Sequence, residues 1–183
     1  MSYTLLIAHP DDEILWLWPF LPLATRIVCM VSDRNNPERA WCRERGECLK
    51  EVGMLVGAEV MNLELNSEFY RLPTRGGELK AAMQSGLDML SGNIATHNPW
   101  GEYGHLDHIL CHQIAMFSGL PVYVTDICQE VNWLPVRPEH FEGAIENVMD
   151  RGLFERFKAI YDRRGCWTWS HEPVEQCGVV RIQ

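Results

Sequence analysis

The sequence predicts an α/β fold: a Rossmann-like, mostly parallel sheet of about five strands flanked by helices, with a helical C-terminal elaboration. Three observations predict it. Short apolar runs alternate with longer helix-like stretches as far as Asp126, which is the rhythm of βαβ units and a parallel sheet. Beyond Asp126 that rhythm gives way to a stretch of helical character. The chain has 183 residues, 46% apolar and 22% charged, an ordinary globular composition that suits one domain over 1–183 with its own core.

The elements follow in order. "YTLLIA" (3–8) reads as a short buried strand. A helix starts near Glu13, and Pro19 and Pro22 end or bend it. "RIVCMVS" (26–32) is a second strand, and "PERAWCRERGECLKEVGMLVG" (37–57) a long helix. Pro37 suits its first turn and Gly57 its C-terminal stop. "AEVMNLEL" (58–65) is a third strand. A loop with Pro73, Gly76 and Gly77 leads to a helix over 78–90. "NIATHN" (93–98) is a fourth strand, a helix spans 105–117, and "PVYVT" (121–125) is a fifth strand. The run 137–165 reads as helical with a break at Gly152, and "GVVRIQ" (178–183) as one more strand.

Composition excludes several function classes. A net charge of −9 argues against nucleic acid as a partner, because such binding rests on clustered Lys and Arg. The local basic runs "DRNNPERAWCRER" and "YDRRG" read as solvated helix faces. "ILWLWPFLPL" is too short to span a membrane, and no export signal is visible, so a cytoplasmic location is expected. The seven cysteines form no CxxC pair, and Cys42 and Cys48 lie six apart. They read as reduced thiols packed as small apolar side chains.

Open α/β sheets bind ligands at the carboxyl ends of their strands. "HPDDE" follows the first strand directly, and "HNPWGEYGHLDH" follows the fourth. Two polar, histidine-bearing loops therefore project from one edge of the sheet. His9 and Asp12 have the spacing at which an imidazole and a carboxylate can face one ion. Catalytic zinc takes three protein ligands plus water, and "GHLDH" offers His105, Asp107 and His108 for the third. A His/Asp set also suits ferrous iron. Asp11 lies beside the ligands as a proton acceptor for water, and Tyr103 and His105 remain to face an oxyanion or leaving group.

Plainer readings stand beside these. The acids can serve as charges at a helix N-terminus, and Glu13 reads as that alone. His97, His140 and His171 read as surface or hydrogen-bonded histidines. His112 reads as structural, because "HILCH" lacks the glutamate of a zincin helix. The tryptophans read as core residues. Trp100, inside the polar loop, is a candidate for stacking on a sugar or for packing the loop.

At these residues the sequence resembles the PIG-L, or LmbE-like, family of metal-dependent de-N-acetylases. "AHPDDE" resembles the family's first motif and "YGHLDH" its second, in order and spacing over about the first 125 residues; "FKAIYDRRG" is a weaker echo of its C-terminal helix. The resemblance implies that His9, Asp12 and His108 bind zinc and that Asp11 is the general base. It implies that His105 stabilises or protonates the tetrahedral intermediate, with Tyr103 assisting. The implied reaction removes an N-acetyl group from an N-acetylglucosamine-type sugar or conjugate, releasing acetate and an amine.

The sugar-recognition positions depart from the pattern. "LWLWPFLP" stands where many members have a Gly-Gly pair, "LNSEF" offers Asn66 and Ser67 in place of an aspartate, and "SDRNN" replaces Thr-Asp-Gly. Asp33, Arg34 and Arg43 are weak candidates for substrate contacts, each more readily read as a solvated charge near a helix start. The chain is short for the family, which implies fewer lid loops or help from a partner subunit, and a homo-oligomer is compatible with it. A metal-dependent phosphoesterase and an inactive carbohydrate-binding protein are the competing readings.

Overall fold

The computed structural model describes residues 1–31, 44–65, 77–129 and 141–183. Strand β1 (Tyr3–Ile7) is buried along its whole length. Successive strand side chains point to opposite faces, and here both faces are covered. Leu5 and Ile7 join one core layer with Trp16, Leu49 and Phe157; Leu6 and Ala8 join another with Ile114 and Val122. Each such buried aliphatic side chain contributes about 1.5–3 kcal/mol relative to exposure. That two-sided burial explains why the segment reads as an unbroken apolar run.

Around β1 lie β2 (Ala24–Val31), β3 (Glu59–Leu65), β4 (Asn93–Thr96) and β5 (Val122–Thr125), followed by β6 (Ile145–Val148) and β7 (Gln176–Arg181). The sheet order is β3-β2-β1-β4-β5-β7-β6, with the first five strands parallel and the last two pairings antiparallel. The chain builds outward from β1 to β3 and then crosses back to β4. The order therefore reverses between β1 and β4, which is where such sheets open a crevice at their carboxyl edge.

Helices α1 (Asp12–Leu15), α2 (Arg45–Val56), α3 (Gly77–Asp88), α5 (Leu106–Phe117) and α6 (Arg151–Asp162) flank the sheet, with a short turn α4 (Gly101–Gly104) before α5. Gly57 caps α2 at φ 75, its N–H reaching Gly53 and Met54 carbonyls. On α6, Asp150 caps the start by accepting from the Leu153 N–H at 3.0 Å. Phe154, Phe157, Ile160 and Tyr161 form its buried stripe.

The fold class holds, and three details of it differ from expectation. The described part of the predicted 137–165 helix, residues 141–165, is not one broken helix. Ile145–Val148 is an edge strand paired with β7, and Gly152 lies inside the first turn of α6. The sheet has seven strands, because the C-terminal segment adds an antiparallel pair to the five parallel ones. The first helix is only four residues, Asp12–Leu15, ending before the prolines. Residues 37–43 of the predicted second helix lie outside the described residues. No helix among the described residues is long and apolar enough to cross a membrane. Five of the six described cysteines are buried, as expected of packed thiols.

Candidate metal centre

β1 and β4 are hydrogen-bonded neighbours, so the loops after them meet. Thr96 ties them by donating its hydroxyl to the Leu6 carbonyl at 2.8 Å. Beyond this tie, His9 Nδ1 stands 3.3 Å from His108 Nε2. Asp12 presents one carboxylate oxygen to each ring, at 3.5 Å from His9 Nδ1 and 3.5 Å from His108 Nε2. Tetrahedral zinc with ligand bonds of 2.0–2.2 Å sets its ligand atoms about 3.3–3.6 Å apart. The separations here are of that order, with Asp12 reaching the two rings through different oxygens; among the described residues, one donor atom per residue comes within 4.8 Å of the others in two sets, His9 with His105 and His108, and Asp12 with His97 and His108.

The outward-facing ring nitrogens are held by carboxylates. His108 Nδ1 lies 2.8 Å from Glu102 Oε2, and His9 Nε2 lies 3.2 Å from Asp107 Oδ2. Each ring then donates outward and turns its lone pair inward, as metal-bound histidines do. Burial opposes the charged form of His9, but Asp107 and Asp12 outweigh it and raise its pKa to about 9. Metal uptake at this cluster therefore displaces protons.

Glu102 also accepts from His97 Nδ1 at 2.9 Å. His97 Nε2 accepts the Ala8 N–H at 3.1 Å, so His97 binds the end of β1 to the β4 loop. Asn98 accepts the Glu102 N–H at 3.0 Å and donates to the Ile127 carbonyl at 2.7 Å. This clasp holds Glu102 in a left-handed backbone conformation, φ 54. Burial would raise the Glu102 carboxyl, but His97 and the hydrogen bonds from both rings hold it down at about 2.

Asp11 sits beside the donors with φ 103, a conformation that L-residues rarely adopt. Its N–H donates to Glu13 Oε2 at 2.9 Å, and Arg45 from α2 contacts both its carboxylate and the Pro10 carbonyl. Burial pushes the Asp11 carboxyl up to about 6, against the pull of Arg45. Glu13 is fully buried and accepts the Tyr161 hydroxyl of α6 at 2.7 Å. Its place is therefore structural, and the reading of Glu13 as only a helix-end charge is corrected.

His105 caps α5, its Nδ1 accepting the Asp107 N–H at 3.2 Å. The remaining proton is then on Nε2. Its ring stacks on His108 at 4.7 Å. Burial, then the charges of His108 and His9, lower its pKa to about 3, so it is a neutral donor. Burial raises the Tyr103 hydroxyl far above its ordinary value.

His9, Asp11, Asp12, Tyr103 and His105 line one cavity of about 240 Å³, with Arg45, Leu15, Trp16, Thr168 and Trp169 as its other walls. His108 forms the buried end of the donor triangle. Trp100 is not among the lining residues. Its ring stacks on Phe141 at 5.3 Å and its Nε1 donates to the Ile127 carbonyl at 3.3 Å. Asp33, Arg34 and Arg43 lie outside the described residues, as do Asn66 and Ser67. His112 meets the site's periphery by donating its Nδ1–H to the His97 carbonyl at 2.9 Å. The sequence reading missed Glu102, Arg45, Trp169 and the Glu13–Tyr161 pair. Only Glu102 carried a nearby signal, an acid five residues after one histidine and six before another.

No protein-family model matches this sequence, and neither does any curated protein. Solved structures do match. A deacetylase in the biosynthesis pathway of teicoplanin is similar over 98% of each chain at 12% identity, with a TM-score of 0.65. N,N'-diacetylchitobiose deacetylase from Pyrococcus horikoshii is similar over 91% of this chain and 71% of that one at 14% identity, with a TM-score of 0.57. The 4-carboxy-2-hydroxymuconate hydratase from Pseudomonas putida is similar over 100% of this chain and 97% of that one at 13% identity, with a TM-score of 0.52. At these identities the likeness establishes the α/β fold, and a fold shared by deacetylases and a hydratase does not choose the reaction.

Proposed function

We propose that this protein is a zinc-dependent N-deacetylase acting on an N-acetylated sugar or sugar conjugate. The observation that carries the reading is the triangle of His9, Asp12 and His108 at zinc spacing, with Asp11 beside it. Structural likeness to two proteins named as deacetylases supports it. Ferrous iron suits the same donors.

A zinc ion held by these three residues supplies Lewis acidity to an amide carbonyl and lowers the pKa of water. The chain does the rest. Arg45 engages Asp11 Oδ2, which leaves Oδ1 to accept the proton of the attacking water. His105 Nε2–H and the Tyr103 hydroxyl are the donors for charge that develops on the former carbonyl oxygen. Asp11 then passes the proton it took from water to the departing amine nitrogen, while His105 stays neutral and donates only hydrogen bonds. Water and amide become acetate and free amine. The net charge of −9 does not suit a nucleic-acid partner, and a cytoplasmic setting fits the buried cysteines.

The test is metal analysis followed by a panel of N-acetyl sugars and nucleotide sugars, assayed for acetate and for phosphate. About one zinc per chain and acetate release are expected. Asp11→Ala should keep its zinc and lose about 10²–10⁴-fold in kcat. Phosphate without acetate, or a protein that stays metal-free with zinc supplied, refutes the reading.

A further inference from the structure

The floor of the cavity is polar and comes from the two loops at the β1 and β4 ends. One wall has a different origin, the extended segment between α6 and β7. The Cys166 N–H anchors this segment to the Tyr161 carbonyl at 2.9 Å. Its two tryptophans diverge. Trp167 packs edge-on against Phe154 of α6 at 6.1 Å, while Trp169 meets Trp16 at 5.1 Å and Tyr103 at 5.4 Å, beside the donors.

Trp169 has a second property. Its indole Nε1 is buried and has no hydrogen-bond partner among the described residues. An indole N–H is a donor only, and buried tryptophans ordinarily satisfy it. A buried donor left unmade beside a binding cavity is most economically explained by a ligand that completes the bond. Trp16, Tyr103 and Trp169 also place three aromatic rings around one side of the same space.

From these two observations we infer that Trp169 is a specificity-determining residue: its ring packs on a pyranose and its Nε1–H donates to an oxygen of that sugar. A pyranose has the matching chemistry, an apolar C–H face edged by acceptor oxygens. The cavity of about 240 Å³ has room for one hexosamine-sized unit, below the roughly 300–1,000 Å³ of drug-sized sites. The inference rests on the deacetylase reading and deepens it, by making the C-terminal segment a sugar-recognising wall.

The test uses the zinc-loaded full chain with nitrogen-15-labelled indoles. The Trp169 Nε1–H resonance is assigned by its loss in Trp169→Phe and followed while N-acetylglucosamine and its β-glycosides are added. The Trp169 resonance should shift in the unmutated protein. Trp169→Phe, which keeps a ring but lacks the N–H, should raise KM about tenfold with kcat within about twofold, the size of one lost hydrogen bond. Trp169→Ala should raise KM further. If acetate is released and the Trp16 resonance moves while Trp169 stays still and Trp169→Phe behaves as wild type, the inference is overturned and the deacetylase reading stands. If no sugar releases acetate and no indole resonance moves, both fall together.

Discussion

The Glu102 carboxylate holds Nδ1 of His108 at 2.8 Å, with both side chains fully buried. The same oxygen takes Nδ1 of His97 at 2.9 Å. One acid thus orients a metal-facing ring and a ring that clamps the β1 end. Glu102→Gln places an amide where two ring donors need a full acceptor. It should weaken zinc binding about 10–100-fold, measured by competition with a chromophoric chelator. Wild-type affinity would show that His108 needs no orienting acid.

His105 carries two tasks that substitution can separate. It caps α5 through Nδ1, and it offers Nε2–H to the cavity. His105→Ala should lose both: about 1 kcal/mol of cap energy, seen as a Tm lower by about 2–4 °C, and most of kcat. His105→Asn keeps a good cap, so its Tm should stay close to wild type while kcat still falls. Normal turnover by the asparagine variant would remove His105 Nε2–H as a hydrogen-bond donor to the reacting oxygen.

Tyr161→Phe deletes a hydroxyl that donates to Glu13 across 148 positions of sequence. The Glu13 oxygen is then left buried without that donor, at a cost of about 1–3 kcal/mol and a Tm lower by about 2–10 °C. Because Glu13 also accepts the Asp11 N–H, kcat should fall while zinc content holds. A loss of Tm with unchanged kcat would limit Tyr161 to stability.

Cys177 on β7 tests burial away from the site. Burial pushes its thiol up to about 12, with Asp126 and Glu146 adding to the shift. The folded pKa lies above the unfolded value of 9, so this contribution to stability is complete below pH 9 and is lost as pH rises towards 12. Iodoacetamide at pH 8 should therefore spare Cys177 in the folded protein and modify it in urea, read by peptide mass spectrometry. Rapid labelling of the folded chain would contradict this.

The parts of the molecule that were legible in sequence are those fixed by short-range pattern. Leu5, Leu6 and Ile7 announce a two-faced buried strand, and the spacing of His9 and Asp12 announces that their side chains meet, because each depends on immediate neighbours. Ile145–Val148 was misread because "IENV" is short, sits in a helix-rich composition and becomes a strand only by pairing with β7. Arg45 and Tyr161 were invisible as site residues. Their roles arise from α2 and α6 packing over the β1 loop, a tertiary fact that leaves no local period. Glu102 stood inside a recognised motif, yet its task depends on a left-handed turn that residue type does not reveal.

The wall supplied by Trp169 has a consequence for the order of synthesis. A ribosome delivers His9, Asp12 and His108 first, then Tyr161 to brace Glu13, and Trp169 last. At about 5–20 residues per second, several seconds separate the last donor of the triangle from the ring that closes the cavity. On the proposed assignments, the three candidate ligands are synthesised before the ring proposed to recognise a sugar, an order set by the chain's own direction.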